Sequence, residues 1–168
     1  MKNFLIYIFI ILLFFSCQND RQKSIQKINL LQKKLVDNDL KTNKDVAKKI
    51  SFEMEDYILN YKDDSLNANY ILLLADLNTN VFNLPIKGFY YYEKFFNEYP
   101  LHKKAPLSLF YQAYLLENYL KNNKESKLLY EKFLVLYPDH ELANTVRFSI
   151  KNLGIPLEDL VKEFENIN

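Results

Sequence analysis

The feature that most constrains this chain is a segment of fourteen residues that occurs twice, 38 residues apart. Residues 92–105 read YEKFFNEYPLHKKA and residues 130–143 read YEKFLVLYPDHELA, with eight identical positions and no gap. Self-similarity at a fixed period of about 20–50 residues indicates a repeat architecture, in which each repeat is one supersecondary unit.

Helical spacing recurs in both copies. Apolar residues stand at i, i+3, i+4 and i+7, as Tyr92, Phe95, Phe96 and Tyr99 in the first copy. The pattern predicts helices near 66–79, 85–98, 104–121 and 124–137, which form two helical hairpins. A single hairpin cannot cover its own apolar face, so the hairpins are expected to stack. The chain has only two glycines, which argues against a sheet protein with tight turns.

Small residues and prolines have defined positions in this pattern. Ala75 is expected to face Gly88 in the first hairpin and Ala113 to face Ser126 in the second, where the two helices cross closely. Pro100 and Pro138 follow the second helix of each hairpin, where a missing N–H and a fixed φ end the helix.

The combination resembles the tetratricopeptide pattern: a small residue on the first helix, then on the second a small residue, an aromatic four later and a proline eight beyond. These residues are Ala75, Gly88, Tyr92 and Pro100, and again Ala113, Ser126, Tyr130 and Pro138. The resemblance covers residues 45–166 and implies an all-α, right-handed stack of antiparallel hairpins. The chain departs from the family in its 38-residue period, where about 34 is usual, and in the polar Gln112 before Ala113.

The phrase YEKF…YP.H..A looks like the tetratricopeptide lipoproteins of the bacterial outer membrane, which include a lipoprotein of the β-barrel assembly machine and a Tol–Pal-associated protein. The resemblance implies a concave face, made by the first helices, that binds envelope proteins or peptides. Its expected positions on the two first helices are Asn69, Leu72, Asp76 and Thr79, and Leu107, Phe110, Tyr114, Glu117 and Asn118.

The N-terminus has the pattern of a signal peptide. Lys2 precedes an apolar run of twelve residues, Phe4 to Phe15, which is shorter than the about 20 residues that span a bilayer. Cys17, the only cysteine, follows the run and resembles a lipidated cysteine, which implies acylation such as palmitate. An ordinary signal peptide with an incidental cysteine and an uncleaved anchor are the alternatives. The resemblance implies an outer-membrane anchor that faces the periplasm.

The remaining segments complete the predicted organisation. Residues 1–16 form the signal peptide, 17–40 a tether with a first short helix, and 41–168 the repeat domain. The tether occupies residues 18–24, and Thr42 or Asn43 is expected to cap the next helix. Leu157, Leu160, Val161 and Phe164 are expected to form a closing amphipathic helix that caps the stack.

Composition and motifs narrow the function classes. Removing Lys2 leaves 21 basic and 21 acidic side chains, which argues against a nucleic-acid partner. His102 and His140 lie one repeat apart, so they are expected to cap or pack loops and to bind no metal. We find no catalytic motif and expect no cofactor. The sequence therefore favours a protein-binding scaffold that is not an enzyme. An accessory role in β-barrel assembly and a cell-wall hydrolase remain alternatives. The sequence does not determine the oligomeric state.

Overall fold

A computed structural model of the chain describes residues 19–35, 42–155 and 158–159. This part of the chain is helical and contains no β-strand. Its elements are α1 (19–33), α2 (Lys44–Asn60), α3 (Asn67–Asp76), a π-helical segment (Leu77–Val81), α4 (Pro85–Glu98), α5 (Ala105–Asn118), α6 (Asn123–Leu136) and α7 (Ala143–Asn152). The predicted all-α class is confirmed for these residues. Cys17, the apolar run before it and nearly all of the predicted closing helix lie outside them.

The chain divides into two compact units, and the boundary falls within α3, after Tyr70. In the first unit, α1 and α2 are joined by an ion pair between Lys27 Nζ and Glu53 Oε1, 2.6 Å apart. The buried apolar side chains of these two helices are Ile28 from α1 and, from α2, Ala47, Ile50, Met54 and Tyr57. Asn43 is the N-cap of α2, and its side chain accepts hydrogen bonds from the amides of Asp45 and Val46.

The predicted tether is corrected by the structure, because α1 is already helical from residue 19. Arg21 Nε lies 2.5 Å from Asp64 Oδ2, so the first turn of this helix is attached to the loop after α2. Burial alone raises the pKa of Asp64, but hydrogen bonds from Arg21 and the Leu66 amide lower it below its ordinary value. Polar composition suggested a flexible segment here, whereas a long-range ion pair stabilises the helix.

In the second unit, helices adjacent in sequence pack on one another: α4 on α5, α5 on α6 and α6 on α7. Their shared core contains Phe96 of α4, Ala105, Leu109 and Ala113 of α5, Tyr130 and Phe133 of α6, and Val146 of α7. Packing between successive hairpins as well as within a hairpin is consistent with a helical repeat.

The 38-residue period of the sequence is also a period of the backbone. The first helices start at Asn67, Ala105 and Ala143, and the second helices end at Asn60, Glu98 and Leu136. After each second helix stands a tyrosine (Tyr61, Tyr99 or Tyr137) with φ between −126° and −137°, and its amide donates to the carbonyl four residues back. The structural repeat therefore extends to α2, where the sequence keeps Glu55, Tyr57 and Tyr61 of the pattern, and to α7.

The loop after each second helix is closed by a side chain at one equivalent position. Asp64 Oδ1 accepts from the Leu66 amide at 2.9 Å, His102 Nδ1 from the Lys104 amide at 3.1 Å, and His140 Nδ1 from the Leu142 amide at 3.1 Å. The two imidazole rings also pack edge-on against Phe95 and Phe133, with centroids 5.2 Å and 5.6 Å apart. The predicted loop-packing role of the histidines is confirmed.

The turn inside each hairpin is equally repeated. The Phe82 amide donates to Leu77 O at 3.0 Å and the Leu120 amide to Leu115 O at 3.0 Å, which are π-type bonds across five residues. The residue that follows is left-handed in both turns, with φ of 56° at Asn83 and 54° at Lys121. Asparagine adopts this conformation more readily than lysine, so the second turn keeps the geometry with a less suited residue.

The close helix crossing differs between the two hairpins. Ser126 Oγ donates to Ala113 O at 2.9 Å, and both residues are fully buried. In the first hairpin, however, the atoms nearest a Cβ built at Gly88 belong to Thr79, not to Ala75 as the sequence suggested. Such a Cβ would overlap Thr79 Oγ1 and lie 3.3 Å from Thr79 Cβ. Gly88 is therefore needed because the side chain of Thr79, within the π-helical segment, occupies the space above it.

We expect Gly88→Ala to lower the free energy of unfolding by roughly 1–3 kcal/mol, because the added methyl group overpacks against Thr79. The same substitution in a Thr79→Ala background should cost clearly less, since the overlapping hydroxyl is gone. Urea denaturation of the four proteins in this double-mutant cycle measures the coupling. An equal cost in both backgrounds would show that Thr79 does not determine the residue at 88.

Candidate functional site

Helix α5 is buried on most of its circumference. Eight of its positions are buried between the flanking helices, including Ala105, Leu109 and Ala113. The remaining positions are partly or fully exposed and follow one another at helical spacing, so they form a single stripe. This stripe, together with Tyr119 just after the helix, is called the α5 surface: Leu107, Phe110, Tyr111, Tyr114, Glu117, Asn118 and Tyr119.

Polar contacts with α4 fix the rotation of α5. Ser108 Oγ donates to Tyr92 O at 2.5 Å, and Gln112 Nε2 lies 3.4 Å from the same carbonyl and 3.3 Å from Ser108 O. Ser108 and Gln112 are buried, so each donor loses water and needs a protein acceptor. Gln112, which departs from the expected apolar residue, therefore contacts the preceding repeat and turns the opposite side of α5 outward.

Aromatic rings connect the α5 surface into one array. The ring of Tyr111 stacks on that of Tyr92, with centroids 5.1 Å apart and planes at 24°. Tyr114 has centroids 6.3 Å from Phe110, 6.5 Å from Tyr111 and 6.2 Å from Tyr119. Tyr114 and Tyr119 are 37% and 45% exposed, so the outer rings of the array are accessible while its inner rings are anchored in the core.

The tyrosine of each sequence motif, Tyr92 or Tyr130 (together called the repeat tyrosines), donates a hydrogen bond to a carboxylate on the first helix of its hairpin. Tyr130 OH donates to Glu117 Oε2 at 2.8 Å, and Tyr92 OH donates to Asp76 Oδ1 at 2.6 Å. Burial raises the pKa of both tyrosines far above its ordinary value, and the neighbouring carboxylates raise it further. The phenols therefore stay protonated and act as donors, which orients the two carboxylates.

Although the Asp76 residue as a whole is exposed, desolvation of its carboxyl group raises its pKa above the ordinary value, and the hydrogen bond from Tyr92 and the charge of Lys104 oppose this rise. Lys104 is the N-cap of α5. Asp76 therefore already has a cation of the same chain in its surroundings.

The structure distributes the predicted groove residues unevenly. Phe110, Tyr114, Glu117 and Asn118 lie together on the α5 surface, and Leu107 lies beside them. Asn69 and Asp76 are exposed on α3.

Two positions named in the same prediction lie elsewhere. Leu72 is buried, with 7% of its surface exposed, and Thr79 packs against Gly88. The π-helical segment changes which side chains face outward at the end of this first helix, and the sequence contains no clear signal for it.

Sequence reasoning missed Tyr111 and Tyr119. Tyr111 precedes Tyr114 by three positions and Asn118 by seven, which places it on the same helical face and could have identified it. Tyr119 follows the last residue of α5. Its membership of the array depends on the turn geometry, which brings its ring next to Tyr114.

Within the described ranges, no group of three metal-ligating side chains is clustered. None of the helices in these ranges is long and apolar enough to cross a bilayer. A scan of protein-family models and a search of curated proteins find no match to this sequence.

We expect Tyr130→Phe to lower the free energy of unfolding by about 1 kcal/mol, because the ring is retained while Glu117 loses its donor. Tyr90→Phe is the matched control, since Tyr90 is 54% exposed on the neighbouring helix α4, and its effect should stay within about 0.5 kcal/mol. Chemical denaturation measures both. Equal effects of the two substitutions would show that the Tyr130–Glu117 bond adds no stability.

Proposed function

We propose that the protein is a tetratricopeptide-like lipoprotein scaffold that binds other proteins of the bacterial cell envelope and has no catalytic activity. The observation that carries this proposal is the α5 surface, a continuous array of aromatic rings with accessible outer members on the first helix of a repeated hairpin. Exposed tyrosines are well suited to protein recognition, because each offers a large rigid apolar surface and a polar hydroxyl.

The repeat supports the same proposal. A sequence period and a backbone period of 38 residues coincide over α2 to α7, and stacked hairpins typically present their first helices on one extended binding face. In the proposed scaffold, a partner peptide or helix lies along this concave face and contacts Phe110, Tyr114, Glu117 and Asn118.

The membrane anchor in this proposal is Cys17, lipidated after removal of residues 1–16. Acyl chains on this residue would hold the protein to the outer membrane at the periplasmic face, since each buried methylene contributes about 0.8 kcal/mol. The support is the position of the only cysteine directly after an apolar run and Ser16. The described helices begin at residue 19, which would place the first unit close to the anchored lipid.

Cys17→Ser tests the anchor. We expect the wild-type protein in the membrane fraction, with a mass increased by acyl chains, and the variant in the soluble periplasmic fraction without them. Fractionation followed by intact-mass spectrometry measures both properties. A variant that sediments with membranes and has the wild-type modification would exclude lipidation at this residue, and an unmodified wild-type chain would do the same.

Photocrosslinking in cells tests the binding face. A photoreactive phenylalanine analogue at Tyr114 is expected to form a discrete adduct with another protein. The same analogue at Tyr90, a tyrosine of greater exposure on α4, is the matched control and should form none. Identification of the captured protein separates a general envelope scaffold from a role in β-barrel assembly. No adduct at Tyr114, or equal adducts at both positions, would contradict the proposed face.

Activity assays address the remaining alternative. Turnover of a cell-wall fragment by the purified chain, abolished by substitution of one acidic residue, would replace the scaffold with a hydrolase. We expect no turnover.

A further inference from the structure

Charged residues are distributed unequally between the first and second helices of the hairpins. The segments α3, Leu77–Val81 and α5 contain no lysine or arginine, and their only charged residues are Asp76 and Glu117. By contrast, α4 contains two lysines and α6 contains three, interspersed with glutamates. These two first helices are therefore purely acidic, whereas α7, which starts the next repeat, contains Arg147 and Lys151. The chain as a whole is almost neutral.

The lysines that lie over aromatic rings are also distributed unequally between these helices. Lysines of the chain already lie over rings of α4, with Lys87 Nζ 5.8 Å from the centre of Tyr91 and Lys132 Nζ 4.7 Å from that of Phe96. In the described part of the chain, no such cation lies over Tyr114 or Tyr119. The accessible rings of the α5 surface can thus accept a cation from outside.

Glu117 lies next to these rings and has no ion-pair partner within the described residues. Its Oε2 accepts from the neutral hydroxyl of Tyr130, which holds the carboxylate in place without neutralising its charge. A lysine or arginine of a ligand would form a charge-assisted hydrogen bond with this carboxylate and neutralise its charge. Because the hydrogen bond from Tyr130 already orders the Glu117 side chain, little further conformational entropy is lost when a ligand binds it, and more of the interaction energy contributes to affinity.

We infer that the α5 surface binds a segment of a partner protein that carries a lysine or arginine flanked by apolar residues. The cationic group pairs with Glu117 and lies against the rings of Tyr114 and Tyr119, while the apolar neighbours contact Phe110 and Leu107. This inference rests on the proposed function and specifies the chemistry of the partner. The acidic C-terminal residues 158–168 of the chain itself do not fit this surface by charge.

Peptide selection tests the inference. A random linear peptide library displayed on phage is selected on the full chain, immobilised in detergent, and the recovered peptides are sequenced. We expect enrichment of peptides with a lysine or arginine next to apolar residues. Enrichment of acidic or uncharged peptides that still require Tyr114 would overturn the cationic partner and leave the protein-binding role standing.

Titration of the best peptide then locates the contact. Glu117→Gln removes the charge but still accepts from Tyr130, and we expect it to weaken binding roughly tenfold. Glu131→Gln, on α6 with a side chain 50% exposed, is the matched control and should leave the dissociation constant unchanged. Replacing the basic residue of the peptide by glutamine should weaken binding to the wild-type chain similarly and have little effect on the Glu117→Gln variant. Equal losses with both protein variants would overturn the assignment to Glu117.

Two further comparisons complete the test. Tyr119→Leu should weaken peptide binding whereas Tyr90→Leu should not, and added salt should weaken binding to the wild-type chain more than to Glu117→Gln. Sedimentation that shows a dimer dependent on Tyr114 would instead identify a second copy of the chain as the occupant and overturn the inference. Peptides whose binding is unaffected by every α5 variant would also overturn the inference. Crosslinking at Tyr114 in cells tests the proposed function separately.

Discussion

The structure of the second unit depends on the burial of α5 between α4 and α6. Ala105, Leu109 and Ala113 are fully buried and contribute to a core shared by the surrounding helices. A helix covered on most of its sides has one rotational position, and the contacts of Ser108 and Gln112 with Tyr92 O select it. The accessible stripe follows from this constraint, because it consists of the positions that the two neighbours leave uncovered.

The repeat preserves backbone geometry better than it preserves residues. An aspartate and two histidines accept the same hydrogen bond at positions 64, 102 and 140, since a carboxylate oxygen and an imidazole nitrogen can both reach the amide two residues on. Asn83 and Lys121 adopt the same left-handed conformation in the hairpin turns. Local hydrogen bonds thus determine the path of the chain, and different side chains satisfy them.

The repeat tyrosines, Tyr92 and Tyr130, combine a structural role in the core with a part in the proposed recognition of a partner. Tyr92 and Tyr130 are buried residues whose rings fill the core and whose hydroxyls orient Asp76 and Glu117 at the protein surface. The tyrosine that defines the repeat pattern is therefore also the residue that fixes an accessible carboxylate. Glu117 is thereby held in a defined position and has no ion pair within the described residues, as the proposed binding of a cationic partner requires.

The sequence predicts most of the helices, with bounds to within a few residues, and the 38-residue period; α1 is the exception, because it begins within the predicted tether. These properties are local, since they depend on apolar spacing, on caps such as Asn43 and on the prolines after α4 and α6. It also placed Phe110, Tyr114, Glu117 and Asn118 on one face of α5, because a helix converts spacing directly into direction. Three contacts could not be predicted from the sequence: Thr79 rather than Ala75 against Gly88, Arg21 of α1 with Asp64, and Tyr119 with Tyr114 in the aromatic array. Each of these depends on how separate segments meet, through a π-helical turn or a long-range ion pair, and no periodicity within a single helix contains that information.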